Sequence, residues 1–320
     1  MSRPTILLGE AQFSPTARAV LEQVGDVLDF ESRDAFRERL PDADAIVVGL
    51  ELRLEGDLLA AAERLRVIAS RTSQLRHLDV AEAARREIAI LSIEPDAPAL
   101  QETSSTAEET MALLLALVRN IPWGFDSVKA GRWERFRYGG HELRGKTIGL
   151  VGFGRLGRMV AGYARAFRMR VLAHDPYVED AAILSLGAES VSLETLLRSS
   201  DAVAILCTWS DETRGLIGAP QFRLMREEAV FVNTARGEIT DEGALLEALE
   251  TGSIAGAAVD TLAGEQPDGS HLVGNALVEY ARTHENLIVL PHLGGATVEA
   301  TERTQLYISQ KLAAWLEGAA

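Results

Sequence analysis

Short apolar runs alternate with helical spacings along almost the whole chain. Residues 6–8, 45–48, 67–69 and 88–91 are apolar stretches of strand length, as expected of strands buried on both faces. Between them, 17–24, 58–65 and 80–85 carry apolar residues at helical spacing. A second series follows a polar interval, with strands predicted at 147–151, 170–173, 202–206, 229–232, 255–259 and 287–290 and helices between. This alternation predicts the α/β class, and two series predict two doubly wound parallel-sheet units. Residues 104–119 read as a helix joining them. Ser105 or Thr106 can cap it, and Glu108 and Glu109 lie in its first turn, where the helix dipole favours negative charge. Residues 297–316 read as a last helix, and pattern does not say which unit it packs on.

Composition narrows the partners. The 320 residues hold 47 acidic and 32 basic side chains, a formal charge of −15. That balance disfavours general binding to nucleic acid or to an anionic membrane. No apolar run approaches the ~20 residues of a membrane-spanning helix, and the N-terminal run is too short for a signal peptide. Cys207 is the single cysteine, so neither an internal disulfide nor a cysteine-based metal cage can form and no metal is expected. The chain reads as cytoplasmic.

The strongest local signal is Gly152-Phe153-Gly154-Arg155-Leu156-Gly157. It follows the strand at 147–151 and opens a helical stretch at 158–167, which is the context a dinucleotide fingerprint requires. Gly152 permits the tight turn, Gly154 lets the backbone approach a pyrophosphate, and Gly157 lets helix and strand pack closely. Asp175, 23 residues after Gly152, suits the ribose hydroxyls and would repel a 2′-phosphate. NAD is therefore expected over NADP. A second phosphate-loop pattern, residues 140–147, is discounted because a strand follows it where a helix is needed.

Three polar residues lie just past strand ends in the second series: Arg236, Glu265 and His292. Ligands of open parallel sheets bind beyond the carboxyl ends of strands, so all three could reach one cleft.

Together these segments resemble the D-isomer-specific 2-hydroxyacid dehydrogenases over nearly the whole chain. The resemblance rests on residues 152–157 with Asp175, residues 233–237, Asp260 to Glu265, Pro291-His292 with Gly294-Gly295, and Ser105-Thr106-Ala107-Glu108. It implies two Rossmann-like domains. A discontinuous, flavodoxin-like substrate domain would comprise 1–97 and 294–320, with an NAD-binding domain inserted at 98–293. It also implies a homodimer, embraced by the region after the joining helix. His292 would be the acid/base, Glu265 its partner, Arg236 the substrate anchor and Asp260 a nicotinamide contact. Thr106, Thr234, Ala235 and Gly294 would join the cofactor site, and Cys207 with Thr208 would line its adenine side. Cys207 also reads as a plain buried cysteine. The chemistry suits these residue types: ketone reduction needs a proton on oxygen, and arginine binds a carboxylate with two parallel hydrogen bonds.

Some segments depart from the commoner family pattern. The loop after the third strand of the first series reads Ser70-Arg71-Thr72, with little glycine, and resembles the phosphoglycerate dehydrogenase branch. Residues 129–146 hold six basic and two acidic side chains. A second anionic group on the substrate is therefore expected to meet Ser70, Arg71 and Thr72, and Arg135 from a partner chain; the alternative for 129–146 is a solvated dimer arm. Gln266-Pro267 replaces a proline that commonly follows the glutamate directly, and 271–286 adds a helical piece. The expected function is hydride transfer between NAD and a small 2-oxo or D-2-hydroxy acid. Oxidation of formate or phosphite, or NADH sensing without catalysis, are the rival readings.

Overall fold

The computed structural model describes residues 3–318, and the chain divides into two compact units. The first runs to Thr103 and resumes at Thr297; the second is Ser104–Ala296. These limits lie a few residues beyond the expected 97/98 and 293/294. The short helix Pro98–Gln101 packs on the C-terminal helix Val298–Gly318, and Arg303 Nη1 donates to the Glu102 carbonyl and the Thr103 hydroxyl.

The first unit holds a five-stranded parallel sheet of β1 (Thr5–Leu8), β2 (Asp26–Leu28), β3 (Ala45–Val48), β4 (Val67–Ser70) and β5 (Ala89–Leu91), in the order β2-β1-β3-β4-β5. Strand order reverses between β1 and β3, which opens a crevice at their carboxyl ends. Strand β2 was not legible in the pattern, because an edge strand of three residues carries too little periodicity. The C-terminal helix belongs to this unit. Its Ile308, Leu312 and Leu316 pack with Ile6, Leu8, Leu21 and Val47 on one face of the sheet. The expected helix at 58–65 is only Gly56–Ala60, since the chain then turns for Arg66 N–H to meet the Asp44 carbonyl at the start of β4.

The second unit holds seven parallel strands: β6 (Thr147–Val151), β7 (Arg170–His174), β8 (Glu189–Ser190), β9 (Ala202–Ile205), β10 (Val230–Asn233), β11 (Gly256–Val259) and β12 (Leu287–Val289). Their order is β12-β11-β10-β9-β6-β7-β8, with the reversal between β6 and β9. One core lies on each face. Met111, Leu114 and Leu117 of the joining helix Ser105–Val118 contribute to one, and Phe222, Phe231 and Leu245 to the other. Residues 140–147 form no phosphate loop. Gly140 lies so close to the Val118 and Arg119 backbone that no side chain fits, and β6 follows where a helix would be needed.

Candidate active site

The glycine loop sits at the β6/β9 reversal of the second sheet. Gly152 has φ +102°, and a Cβ there would meet Cys207 N at 2.5 Å and Cys207 Cα at 2.7 Å. A Cβ on Gly157 would overlap the Gly152 carbonyl, whereas nothing lies within 4 Å of the Gly154 position. The two outer glycines thus permit close packing, and the middle one leaves its surface open. The helix Arg155–Ala166 begins there without a side-chain cap, which leaves first-turn N–H groups for an anion. Asp175 is pinned beside the loop: Oδ2 accepts from Phe153 N–H at 2.7 Å and Oδ1 from Tyr177 N–H at 3.0 Å. Open backbone, uncapped helix and fixed carboxylate together fit a dinucleotide. Phe153 itself is buried, and Arg155 and Leu156 are half-buried on the first turn. Cys207 is half-buried with its thiol pushed up to about 11 by burial, so it stays protonated and lines the loop as packing. Thr208 is exposed just beyond it.

Past the ends of β11 and β12, His292 Nδ1 and Glu265 Oε2 are 2.7 Å apart. Glu265 Oε1 accepts from Leu262 N–H at 2.9 Å. Burial alone would raise the Glu265 carboxyl. The His292 hydrogen bond and charge, the Leu262 N–H and the Arg236 charge outweigh it and hold the carboxyl below its usual range. The extra length between the two residues does not disturb them. It forms the short turn Ser270–Leu272 and the helix Ala276–Ala281, and His271 Nδ1 accepts from Gln266 N–H at 3.0 Å.

His292 has φ +57°, a strained conformation for a non-glycine residue. Asp260 imposes it. Its carbonyl accepts from His292 N–H at 2.8 Å, and its carboxylate accepts from Leu293 N–H at 2.7 Å and Gly294 N–H at 2.8 Å. Asp260 has no exposed surface. This carboxylate holds the backbone that aims His292. The acid beside it is the half-buried Glu109, in the first turn of the joining helix. At the Gly294 Cβ position, Asp260 Oδ2 and Thr106 Cγ2 would each lie 3.1 Å away and Glu109 Oε2 3.2 Å. Burial, followed by the Asp260 charge, raises Glu109 to about 7.

Arg236 directly follows β10 and its turn. Thr234 Oγ1 is turned inward, 2.7 Å from Thr110 Oγ1 of the joining helix, and Ala235 N–H donates to Asn233 Oδ1 at 3.0 Å. Among the described residues no group of three or more His, Cys, Asp or Glu side chains is arranged to hold a metal ion.

In the first unit, Arg71 is ion-paired with two carboxylates. Its Nε lies 2.8 Å from both Glu10 oxygens and its Nη2 2.8 Å from Glu51 Oε1. A buried Glu10 requires a counter-charge, and Arg71 supplies it. The hydroxyls of Ser70 and Thr72 are likewise turned inward. They lie 3.0 Å from each other, and Ser70 Oγ is 3.2 Å from His77 Nε2. Burial lowers His77 to about 4 and keeps it neutral. Arg135 is exposed with its guanidinium 5.7 Å from the Phe136 ring centroid.

The family model for "D-isomer specific 2-hydroxyacid dehydrogenase, NAD binding domain" matches residues 111–294. The chain belongs to this family. It is 35% identical over 330 residues to the glyoxylate reductase of Aeropyrum pernix, covering 99% of this chain and 94% of that one. It is 36% identical over 287 residues to the D-3-phosphoglycerate dehydrogenase of Archaeoglobus fulgidus, covering 90% of this chain and 52% of that one. The chain thus spans about half the length of the phosphoglycerate dehydrogenases it matches. Among solved structures, the D-lactate dehydrogenase of Aquifex aeolicus complexed with NAD and lactic acid superimposes with TM-score 0.80 at 26% identity, over 98% of this chain and 96% of that one. The glycine loop and the His292–Glu265 pair lie within the matched domain, and NAD is the cofactor of that family domain.

Proposed function

We propose that the protein is an NAD-dependent oxidoreductase that transfers a hydride between the nicotinamide and a small 2-oxo or D-2-hydroxy acid. The observation that carries this reading is the His292–Glu265 pair held by Asp260. An NADH sensor needs a cofactor site but no oriented acid/base, and formate carries no ketone oxygen to protonate. When bound, the nicotinamide supplies or accepts the hydride at the substrate carbon. His292 holds the other half of the reaction. Glu265 holds Nδ1 and orients the ring, which leaves Nε2 to give a proton to the ketone oxygen in reduction and take it back in oxidation. Arg236 anchors the substrate carboxylate and polarises the adjacent carbonyl. Residues 152–157 receive the pyrophosphate and Asp175 the ribose. Following NADH oxidation at 340 nm across a panel of small 2-oxo acids tests the reading directly. Turnover with none of them would sink it.

The cofactor preference follows from charge. Asp175→Asn keeps an acceptor oxygen for the loop but removes the negative charge. We expect the preference for NADH over NADPH, measured as a ratio of kcat/KM, to fall about tenfold or more. An unchanged ratio would remove Asp175 from this role.

The working form is a homodimer in the cytoplasm. No described helix is long and apolar enough to cross a membrane. Phe125, Trp133 and Phe136 follow the joining helix and are 64%, 85% and 92% exposed, an apolar surface that a monomer rarely leaves open. Light scattering should give twice the chain mass, and Trp133→Asp with Phe136→Asp should give the chain mass alone.

A further inference from the structure

Two further loops flank the glycine loop of the second unit. β7 and β9 are the neighbours of β6 in its sheet, and residues 175–177 and 207–214 follow them. A ligand of an open parallel sheet lies among such loops at the strand-order reversal. One side-chain hydrogen bond joins the two: the Tyr177 hydroxyl donates to Glu212 Oε2. It links the loops on either side of the carboxyl end of β6, and both residues belong to the second unit.

Both ends of this bridge are fixed by their own turns. Tyr177 N–H donates to Asp175 Oδ1 at 3.0 Å, so the tyrosine and the acid beside the glycine loop share one turn. On the other side, Thr213 Oγ1 accepts from Ser210 N–H at 2.7 Å and donates to the Thr208 carbonyl at 2.8 Å, which shapes the turn that carries Glu212. The Glu212 hydrogen bond and charge, with a smaller push from the Asp175 charge, hold the Tyr177 phenol above its ordinary value. The phenol therefore stays protonated and keeps donating. The arginine of the same turn, Arg214, has its guanidinium 5.1 Å from the Trp209 ring centroid and Nη2 3.8 Å from Asp211.

We propose that Glu212, held in place by Tyr177, is a second specificity residue of the cofactor site, setting a further carboxylate against the 2′-phosphate of NADP. It rests on the assignment of Asp175 to the adenosine ribose. A phosphate monoester there would add about two negative charges beside Asp175 and across from Glu212. Glu212 is exposed, so solvent and salt weaken its share below that of the half-buried Asp175. A bridge that merely stapled the two loops would alter the binding of both cofactors alike.

Dissociation constants of NADH and NADPH, titrated by cofactor fluorescence on the full chain without substrate, read this choice without turnover. Glu212→Gln keeps the length of the side chain and an acceptor oxygen for Tyr177. It should lower the ratio of the NADPH constant to the NADH constant about threefold at low ionic strength. That change should shrink to half or less in about 1 M NaCl, where the screening length is about 3 Å. An unmoved ratio, or a change that salt leaves undiminished, overturns the proposal. Tyr177→Phe keeps the ring but releases Glu212. It should lower the ratio in the wild-type background and leave it unmoved in the Glu212→Gln background. Equal effects in the two backgrounds would overturn the role given to Tyr177. Asp175→Asn separates the two assignments. If it leaves the ratio unchanged while Glu212→Gln lowers it, the ribose assignment of Asp175 falls alone, and the reverse pattern overturns this proposal alone.

Discussion

His292→Ala should lower kcat for 2-oxo acid reduction by about a thousandfold or more, at the upper end of what one positioned acid contributes. The dissociation constant for NADH should stay within about twofold, because the loop 152–157 and Asp175 belong to other elements of the second unit. The loss is large because the structure invests in this one ring. Asp260 is buried to hold the turn through two backbone N–H groups and its own carbonyl, and His292 adopts a left-handed conformation to comply. Glu265→Gln should cost less, about a hundredfold, since the ring keeps its place but loses the carboxylate charge beside it. The pH dependence carries a sign. Glu265 is held below the usual carboxylate range, so its support persists above that range and is lost only as pH falls through the depressed value. Reductive kcat/KM in wild type should therefore not fall between pH 7 and 5. A fall there, or retention of a tenth of kcat in His292→Ala, would contradict the assignment.

What could be read from the chain depended on whether the constraint was local. The glycine loop was legible because three glycines fall within six residues, two where backbone leaves no room for a side chain and one beside open surface. Asp175 was legible by its distance from that loop. Most strands were legible because burial on both faces demands unbroken apolar runs, whereas β8, two residues at a sheet edge, carries no such demand. His292, Glu265 and Arg236 could be picked out only as polar residues beyond strand ends. Their pairing joins residues 27 apart and is fixed by the register of β11 with β12. Charge was the least legible property. Arg71 reads as an open cation until Glu10, 61 residues earlier in the chain, is brought against it. Ser70 and Thr72 read as ligand hydroxyls until His77 turns one of them inward. Glu108 and Glu109 look alike in sequence, yet only Glu109 reaches the buried carboxylate of Asp260.

Arg236→Ala should reduce kcat/KM for the 2-oxo acid by about a thousandfold while leaving the KM for NADH within about twofold. The argument begins with the backbone. Asn233, buried at the end of β10, accepts from Ala235 N–H and donates through Nδ2 to the Arg236 carbonyl at 2.9 Å and to Thr240 Oγ1 at 3.1 Å. On the other side, a Cβ on Gly237 would overlap the backbone of Leu262 and Ala263, so the chain after Arg236 has one path. Arg236 is thus fixed at both ends, with extended backbone and its Nη1 donating to the Ala235 carbonyl at 2.6 Å. Its charge also reaches Glu265 and helps keep that carboxylate ionised. One side chain therefore serves both the anchor and the acid/base pair, and its loss should lower kcat as well as raise KM. Arg236→Lys separates the two contributions. A lysine restores the charge near Glu265 but not the two-pronged grip on a carboxylate. It should recover most of the kcat and little of the KM, a gain of about tenfold in kcat/KM over Arg236→Ala. Full recovery by lysine would mean that charge alone suffices and that the planar fork of Arg236 has no part in orienting the substrate.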